Sequence, residues 1–326
     1  MRPRPDRRTF LGWSALGAAS LAMPHRTPAD EKDGMRATYE YKVVRGCRIK
    51  LDVHRAAANR VRPVVVWIHG GALIMGHRGG IDRALLGALT KAGYAVVSID
   101  YRLAPETKLP AIVEDVQDAC RWVRERGPKV LHVAPERLAV MGGSAGGYLT
   151  LMTGFRVEPR PKALVSFWGY GDVAGAWYSR PDPFYRSKPL VPEEEARAAV
   201  GRAVLSEDLG KNDRPKFYLY CRQQGLWPRE VAGHDPDAEP RAFDPFCPLR
   251  NVTAAYPPTL LVHGTKDTDV PYEQSELMDR ELDRKKVEHE LITVPGGAHG
   301  LGGTDPAVLA DIRRRILVFL DRHLRG

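Results

Sequence analysis

Gly142-Gly143-Ser144-Ala145-Gly146 is a G-x-S-x-G run that follows the apolar stretch Leu138 to Met141 and opens a segment with helical spacing. A sharp strand-to-helix turn there holds a serine hydroxyl clear of both elements. Glycines two residues to either side remove the side chains that would collide in so tight a turn. The chemistry that fits is nucleophilic: Ser144 sits at the carboxyl edge of a sheet, with the N–H groups and positive end of the next helix behind it to hold an oxyanion. Trp67-Ile68-His69-Gly70-Gly71-Ala72 closes an earlier apolar run and brings unhindered amides to the same edge, where they complete an oxyanion hole. His69 has no second histidine at metal-ligand spacing and is read as holding its loop. Gly70-Gly71 also lacks the later Gly-Lys-Ser/Thr of a phosphate loop.

A serine nucleophile needs a base carried on a loop at that edge. His299, within Pro295-Gly296-Gly297-Ala298-His299-Gly300 after the apolar run Glu290 to Val294, meets the requirement. His323 falls on a terminal helix, His289 precedes its strand, and His234 belongs to an irregular region. The acid that orients the base belongs after the preceding strand, where Thr259 to Val262 leads to two candidates, Asp267 and Asp269. With a histidine base, turnover should rise with pH around an apparent pKa of about 6 to 7.

Strands and helices must alternate to place these loops on one edge. Nearly continuous apolar runs at Val64 to Ile68, Ala95 to Ile99, Leu138 to Met141, Ala163 to Phe167, Thr259 to Val262 and Glu290 to Val294 read as strands covered on both faces. Helical spacing recurs at Ile81 to Ala92, Ile112 to Arg126, Ala145 to Gly154, Tyr272 to Lys286 and Pro306 to Arg325. The fold class is therefore α/β, a mostly parallel sheet flanked by helices. Arg313-Arg314-Arg315 in the last helix reads as the solvated face of an amphipathic element. The rhythm breaks over the 78 residues from Val173 to Arg250, which carry ten of the 26 aromatics and ten of the 26 prolines. Disordered linkers are poor in aromatics, so this stretch is expected to be an inserted cap.

The 326 residues allow one large α/β domain, and 43% hydrophobic with 27% charged residues is an ordinary globular mix. A net charge of +9 arises from 49 scattered basic residues against 40 acidic ones, without zinc-finger or RNA-binding motifs, so nucleic acid is not an expected partner. Arg2, Arg4, Arg7 and Arg8 precede the 13-residue apolar run Leu11 to Met23, which is too short to span a bilayer. Residues 1–30 are thus expected to be an export signal, and Arg7-Arg8-Thr9-Phe10-Leu11 gives it a twin-arginine character; the folded domain then covers 38–326. An oxidising compartment would allow a bond between Cys221 and Cys247, whose connectivity the spacing does not fix.

Five motifs taken together resemble the α/β-hydrolase superfamily, and within it the hormone-sensitive-lipase-like carboxylesterases with an H-G-G-G loop. They are His69-Gly70-Gly71-Ala72, Asp100-Tyr101-Arg102-Leu103-Ala104-Pro105, Gly142 to Gly147, His263-Gly264-Thr265-Lys266-Asp267 and Gly297-Ala298-His299-Gly300. The resemblance spans about residues 40 to 325. It implies an α/β-hydrolase fold with a cap at 173–250, an oxyanion hole from the amides of Gly71, Ala72 and Ala145, and Asp267 rather than Asp269 as the orienting acid. Ala72 stands where the family pattern has a third glycine, which leaves the amide available and alters the pocket wall. Asp100-Tyr101-Arg102 is implied to brace the catalytic edge, while Trp168-Gly169-Tyr170-Gly171-Asp172 is read either as pocket lining or as core.

The expected function is a serine carboxylesterase acting on short-acyl esters of small-molecule or carbohydrate alcohols, through an acyl-enzyme and with no metal or organic cofactor. Two rivals stand beside it. One is a prolyl-oligopeptidase-like peptidase, whose preceding propeller has no room ahead of residue 40; the other is an inactive hydrolase used for binding, against which all three triad positions are filled. The sequence leaves the oligomeric state and the natural ester open.

Overall fold

A computed structural model describes residues 35–56, 60–201, 203–210 and 213–326; the expected export signal lies outside the described residues. The apolar runs form strands. After a hairpin of β1 (Met35–Val44) and β2 (Cys47–Arg55) come β3 (Arg62–Ile68), β4 (Ala95–Ile99), β5 (Val133–Gly143), β6 (Ala163–Phe167), β7 (Thr259–Gly264) and β8 (His289–Val294). Their order in the sheet is β1-β2-β4-β3-β5-β6-β7-β8, parallel from β4 to β8, with β2 antiparallel on β4. Every residue of β3, β4, β6 and β7 is buried, as runs of Val, Ile and Leu require when helices cover both faces.

Helix α1 (Arg83–Lys91) is capped by the Asp82 carboxylate, and α2 (Leu109–Val130) and α3 (Ala145–Arg156) follow β4 and β5. Between β6 and β7 lie only short helices: α4 (Ala176–Ser179), α5 (Pro183–Arg186), α6 (Glu193–Ala198), α7 (Arg214–Gln224), α8 (Trp227–Ala232) and α9 (Pro248–Asn251). Then come α10 (Glu273–Arg284) and α11 (Pro306–Arg325). Leu85 and Leu89 of α1 and Ile312, Ile316 and Leu320 of α11 fill one face of the sheet; α2, α3, α10 and the insertion fill the other.

The β1–β2 hairpin is absent from the strand pattern read above because it is an edge with one solvated face: its burial alternates instead of running on. The insertion is ordered by its own aromatics, with Trp177, Tyr178 and Trp227 stacked at centroid distances of 3.7 and 4.1 Å. The Cys221–Cys247 bond is not formed. All four thiols are free: Cys221 is buried in the apolar core, and Cys247 is buried with its thiol donating to the Gly171 carbonyl at 3.0 Å. Among the described residues no helix is long and apolar enough to cross a membrane.

Sheet order fixes where a site can form. Strand β3 lies between β4 and β5, the point at which successive strands are added in opposite directions, and such a switch opens a crevice at the carboxyl ends. The parallel register pairs Ile68 with Gly142, so the loop after β3 and the turn after β5 emerge side by side.

Candidate active site

Ser144 stands in that turn at φ 57° and ψ −124°, a backbone conformation costly for any residue but glycine. The surroundings enforce it: Ser144 N–H donates to the Phe167 carbonyl on β6 (2.9 Å), and the Ser144 carbonyl accepts the Tyr148 N–H (2.9 Å) that starts α3. A Cβ on Gly146 would strike the Ile68 carbonyl and lie 2.6 Å from the His69 oxygen, and one on Gly142 would lie 2.7 Å from the Ile68 oxygen. The glycines are therefore required because the turn packs on the end of β3. Gly146→Ala should destabilise the protein by about 2 kcal/mol or more, an overpacking cost with backbone on the other side of the clash. A thermal melt that stays at the wild-type Tm would contradict this close approach.

The loop after β3 holds Gly71, Ala72 and Leu73 at φ 108°, 55° and 63°. The Gly71 carbonyl accepts from the N–H groups of Ile74 and Met75, both at 2.9 Å, and the Leu73 carbonyl accepts from Ala104 N–H at 2.8 Å. Ala72 occupies its left-handed position because its carbonyl is held by the buried Trp227 indole N–H, 2.9 Å away and 155 residues on. His69 stacks on Tyr101 at 4.2 Å, and the Tyr101 hydroxyl donates to the His69 carbonyl at 3.0 Å. Burial pushes the His69 imidazole down to about 4 despite a hydrogen bond with Gly70, so the ring is neutral and braces the loop. Asp100 and Arg102 anchor the next loop, Asp100 accepting from Arg78 N–H and Nη1 and Arg102 forking onto buried Asp115.

The loops after β7 and β8 pack so closely that a Cβ on Gly264 would overlap the Gly297 carbonyl. This brings His299 Nδ1 to 2.8 Å from Asp267 Oδ2. Asp267 Oδ1 accepts the N–H groups of Asp269 (2.8 Å) and Val270 (2.9 Å), and Oδ2 also meets His263 Nε2 at 3.2 Å. Burial alone would raise the Asp267 carboxyl, but the hydrogen bonds from His263 and His299 outweigh it and hold it well below the usual carboxylate range. For His299 burial works downward, and the Asp267 hydrogen bond with the Asp269 charge outweighs it, so the imidazole is raised above its ordinary value. Asp269, the alternative acid, does not reach Nδ1; its Oδ2 lies 3.4 Å from Nε2.

Gly71, Ala72, Ser144, His299, Trp168 and Tyr218 line one cavity of about 360 Å³, and Ala145 adjoins Ser144 at the first turn of α3. Trp168 thus lines the site, whereas Tyr170 is core, stacked on Tyr148. His234, His289 and His323 pair elsewhere, with Glu239, Asp279 and Glu288. The sequence reading missed four residues: His263, which bridges Asp267 and Ser275 (2.7 Å from Nδ1), and Tyr185, Tyr218 and Arg222, which surround Asp269. Only the place of His263 in the His263-Gly264-Thr265-Lys266-Asp267 motif hinted at any of them. Among the described residues no group of three or more His, Cys, Asp or Glu is placed to hold a metal ion.

Comparison with known proteins decides the family: residues 65–302 match the family model of the alpha/beta hydrolase fold. The chain belongs to that family. The resemblance to its hormone-sensitive-lipase-like branch, read from five motifs, stands with it. Esterase LipC of Mycobacterium tuberculosis is 28% identical over 268 residues, which cover 80% of this chain and 58% of LipC. The non-reducing polyketide synthase adrD of Penicillium rubens is 28% identical over 283 residues, 73% of this chain and 11% of the synthase. The chain thus spans less than two thirds of the length of these curated relatives. Among solved structures, a truncated carbohydrate esterase from gut microbiota superposes with a TM-score of 0.67 at 21% identity, covering 90% of this chain and 99% of that one; at that identity the likeness is one of fold.

Proposed function

We propose that this alpha/beta hydrolase is a serine carboxylesterase with Ser144, His299 and Asp267 as its triad and the amides of Gly71, Ala72 and Ala145 as its oxyanion hole. One observation carries the reading: a serine held at positive φ, a histidine already bonded to a buried carboxylate, and the glycine loop after β3 share one cavity. Ser144 Oγ attacks the ester carbonyl while His299 Nε2 takes its proton, and the carbonyl oxygen becomes an oxyanion held by the amides. Asp267 keeps the Nδ1–H tautomer. The tetrahedral intermediate collapses, Nε2–H passes its proton to the departing alcohol, and water repeats the cycle on the acyl-enzyme.

The insertion acts as a cap, since its Tyr218 forms part of the cavity wall. Aromatic walls and a volume of about 360 Å³ suit a short acyl group. The expected substrate is an acetyl to butyryl ester of a small alcohol or carbohydrate. Catalytic efficiency on acetyl, butyryl, octanoyl and palmitoyl esters of one alcohol should peak at the short end. A steady climb to palmitoyl would make the cap a lipid-binding lid, and peptide amides outrunning every ester would replace the esterase reading with the peptidase one.

We also propose export through the twin-arginine signal in residues 1–30, supported by Arg7-Arg8 ahead of the Leu11 to Met23 run. A reporter fused after residue 35 should be exported, and Arg7→Lys with Arg8→Lys should block it; export unaffected by the double change would discard the route.

A further inference from the structure

Two carboxylates face the two nitrogens of one imidazole. Asp267 Oδ2 is 2.8 Å from His299 Nδ1, and Asp269 Oδ2 is 3.4 Å from Nε2. Nε2 is the atom that must take the Ser144 proton, so a carboxylate beside it has consequences for the base. Asp269 is not a loose surface group. Its Oδ1 accepts the Tyr185 hydroxyl (2.7 Å), the Tyr218 hydroxyl and Arg222 Nη1 (2.8 Å), all from α5 and α7 of the insertion. Arg222 is fixed in turn: it is 1% exposed, Nη2 meets Asp182 at 2.7 Å, and its guanidinium lies 4.5 to 5.6 Å from the rings of Tyr185, Tyr178 and Trp177. With Oδ1 occupied three times over, Oδ2 is the oxygen left for the imidazole.

Resting on the reading of His299 as the base, we propose that Asp269 is a positioning residue, a second carboxylate that the cap holds against Nε2 to grip the His299 imidazolium. Nδ1–H is donated to Asp267, so a neutral ring presents a lone pair at Nε2, and a carboxylate oxygen at 3.4 Å repels it. A protonated ring meets an attractive carboxylate charge there instead. The charges that bear on the ring are Asp267 and Asp269 from the loop after β7, with His263 hydrogen-bonded to Asp267, and Arg222 from α7, which opposes them. Trp168 presents its ring edge-on at 6.1 Å and adds no charge. The acids prevail over Arg222 and burial, which makes the imidazolium persist to higher pH than in an isolated histidine. The same contact stabilises the imidazolium that forms as Ser144 attacks. Asp269 therefore trades rate at low pH for rate at high pH, and the cap residues around it set that balance.

The test uses the full chain and a nitrophenyl acetate ester. The His299 imidazole is titrated by NMR, and kcat/KM is measured against pH, in wild type and Asp269→Asn. The amide is isosteric with the acid. The expected result is an imidazole titration moved to lower pH, with the acid limb of kcat/KM moving with it. The ratio of kcat/KM at about pH 6 to that at about pH 8.5 should rise roughly threefold or more. Asp269→Thr, also neutral, serves if the first variant does not fold. Neither titration nor limb moving in a variant with wild-type Tm would overturn the proposal while leaving the esterase reading intact. An imidazole titration that moves while the rate profile does not would remove His299 as the base and take the proposal with it.

Discussion

Ser144→Ala leaves a folded protein whose kcat/KM on a short-acyl nitrophenyl ester is at least about a thousandfold lower, because only the oxyanion hole and substrate binding remain. Folding should survive, since the Ser144 interactions that shape the turn are backbone ones: its N–H on the Phe167 carbonyl and its carbonyl on the Tyr148 N–H. Alanine meets both. It also carries the same φ penalty as serine, and the steric support from Gly142 and Gly146 is unchanged. Loss of activity with an unshifted Tm thus assigns the loss to the missing hydroxyl. A serine-directed organophosphorus reagent should label wild type at Ser144 and leave the variant unlabelled. Near-normal turnover in a contaminant-free variant would remove Ser144 as nucleophile.

Asp267→Asn is expected to cost about 10³ to 10⁴ in kcat, the scale found when an orienting acid becomes an amide that favours the wrong tautomer. Oδ2 of Asp267 takes hydrogen bonds from two histidines and Oδ1 from two backbone N–H groups, so an amide placed either way turns an NH₂ toward donors. Rotated one way it faces the imidazoles and drives the proton of His299 toward Nε2, which disables the base. Rotated the other way it faces the N–H groups of Asp269 and Val270 and strains the loop. Asp269→Asn should cost far less at neutral to alkaline pH and alter the shape of the pH profile instead. Kinetics across pH for the two variants decide between the acids; the reverse ranking transfers the orienting role to Asp269.

Much of this site was legible in the sequence because local patterns carried it. The β5–α3 turn announced itself through glycines at fixed offsets from Ser144, and the loops bearing Asp267 and His299 each followed a buried strand. Periodicity alone left Asp267 and Asp269 equal; the resemblance favoured one, and the geometry separates them by the nitrogen each faces. What stayed hidden was long-range. Tyr185, Tyr218 and Arg222 meet Asp269 across 84, 51 and 47 residues, from an insertion without strand–helix rhythm. No spacing rule links an arginine in the last turn of a short proline-started helix to the loop after β7. The β1–β2 hairpin was hidden for the opposite reason, because a half-solvated edge has too weak an apolar pattern to stand out.

The hydrogen bond from the Trp227 indole to the Ala72 carbonyl has a bearing on how such enzymes change their preferences. Substrate choice and oxyanion stabilisation are usually treated as separable modules, one in a variable insertion and the other in an invariant frame. Here a buried tryptophan of the insertion is the strut on which a strained residue of the proposed oxyanion loop leans, which joins the two mechanically. A cap grafted from a relative would therefore alter turnover as well as selectivity unless it supplied a donor at the same point. Exchange of the whole insertion would remove that donor, whereas substitutions that spare Trp227 would keep it.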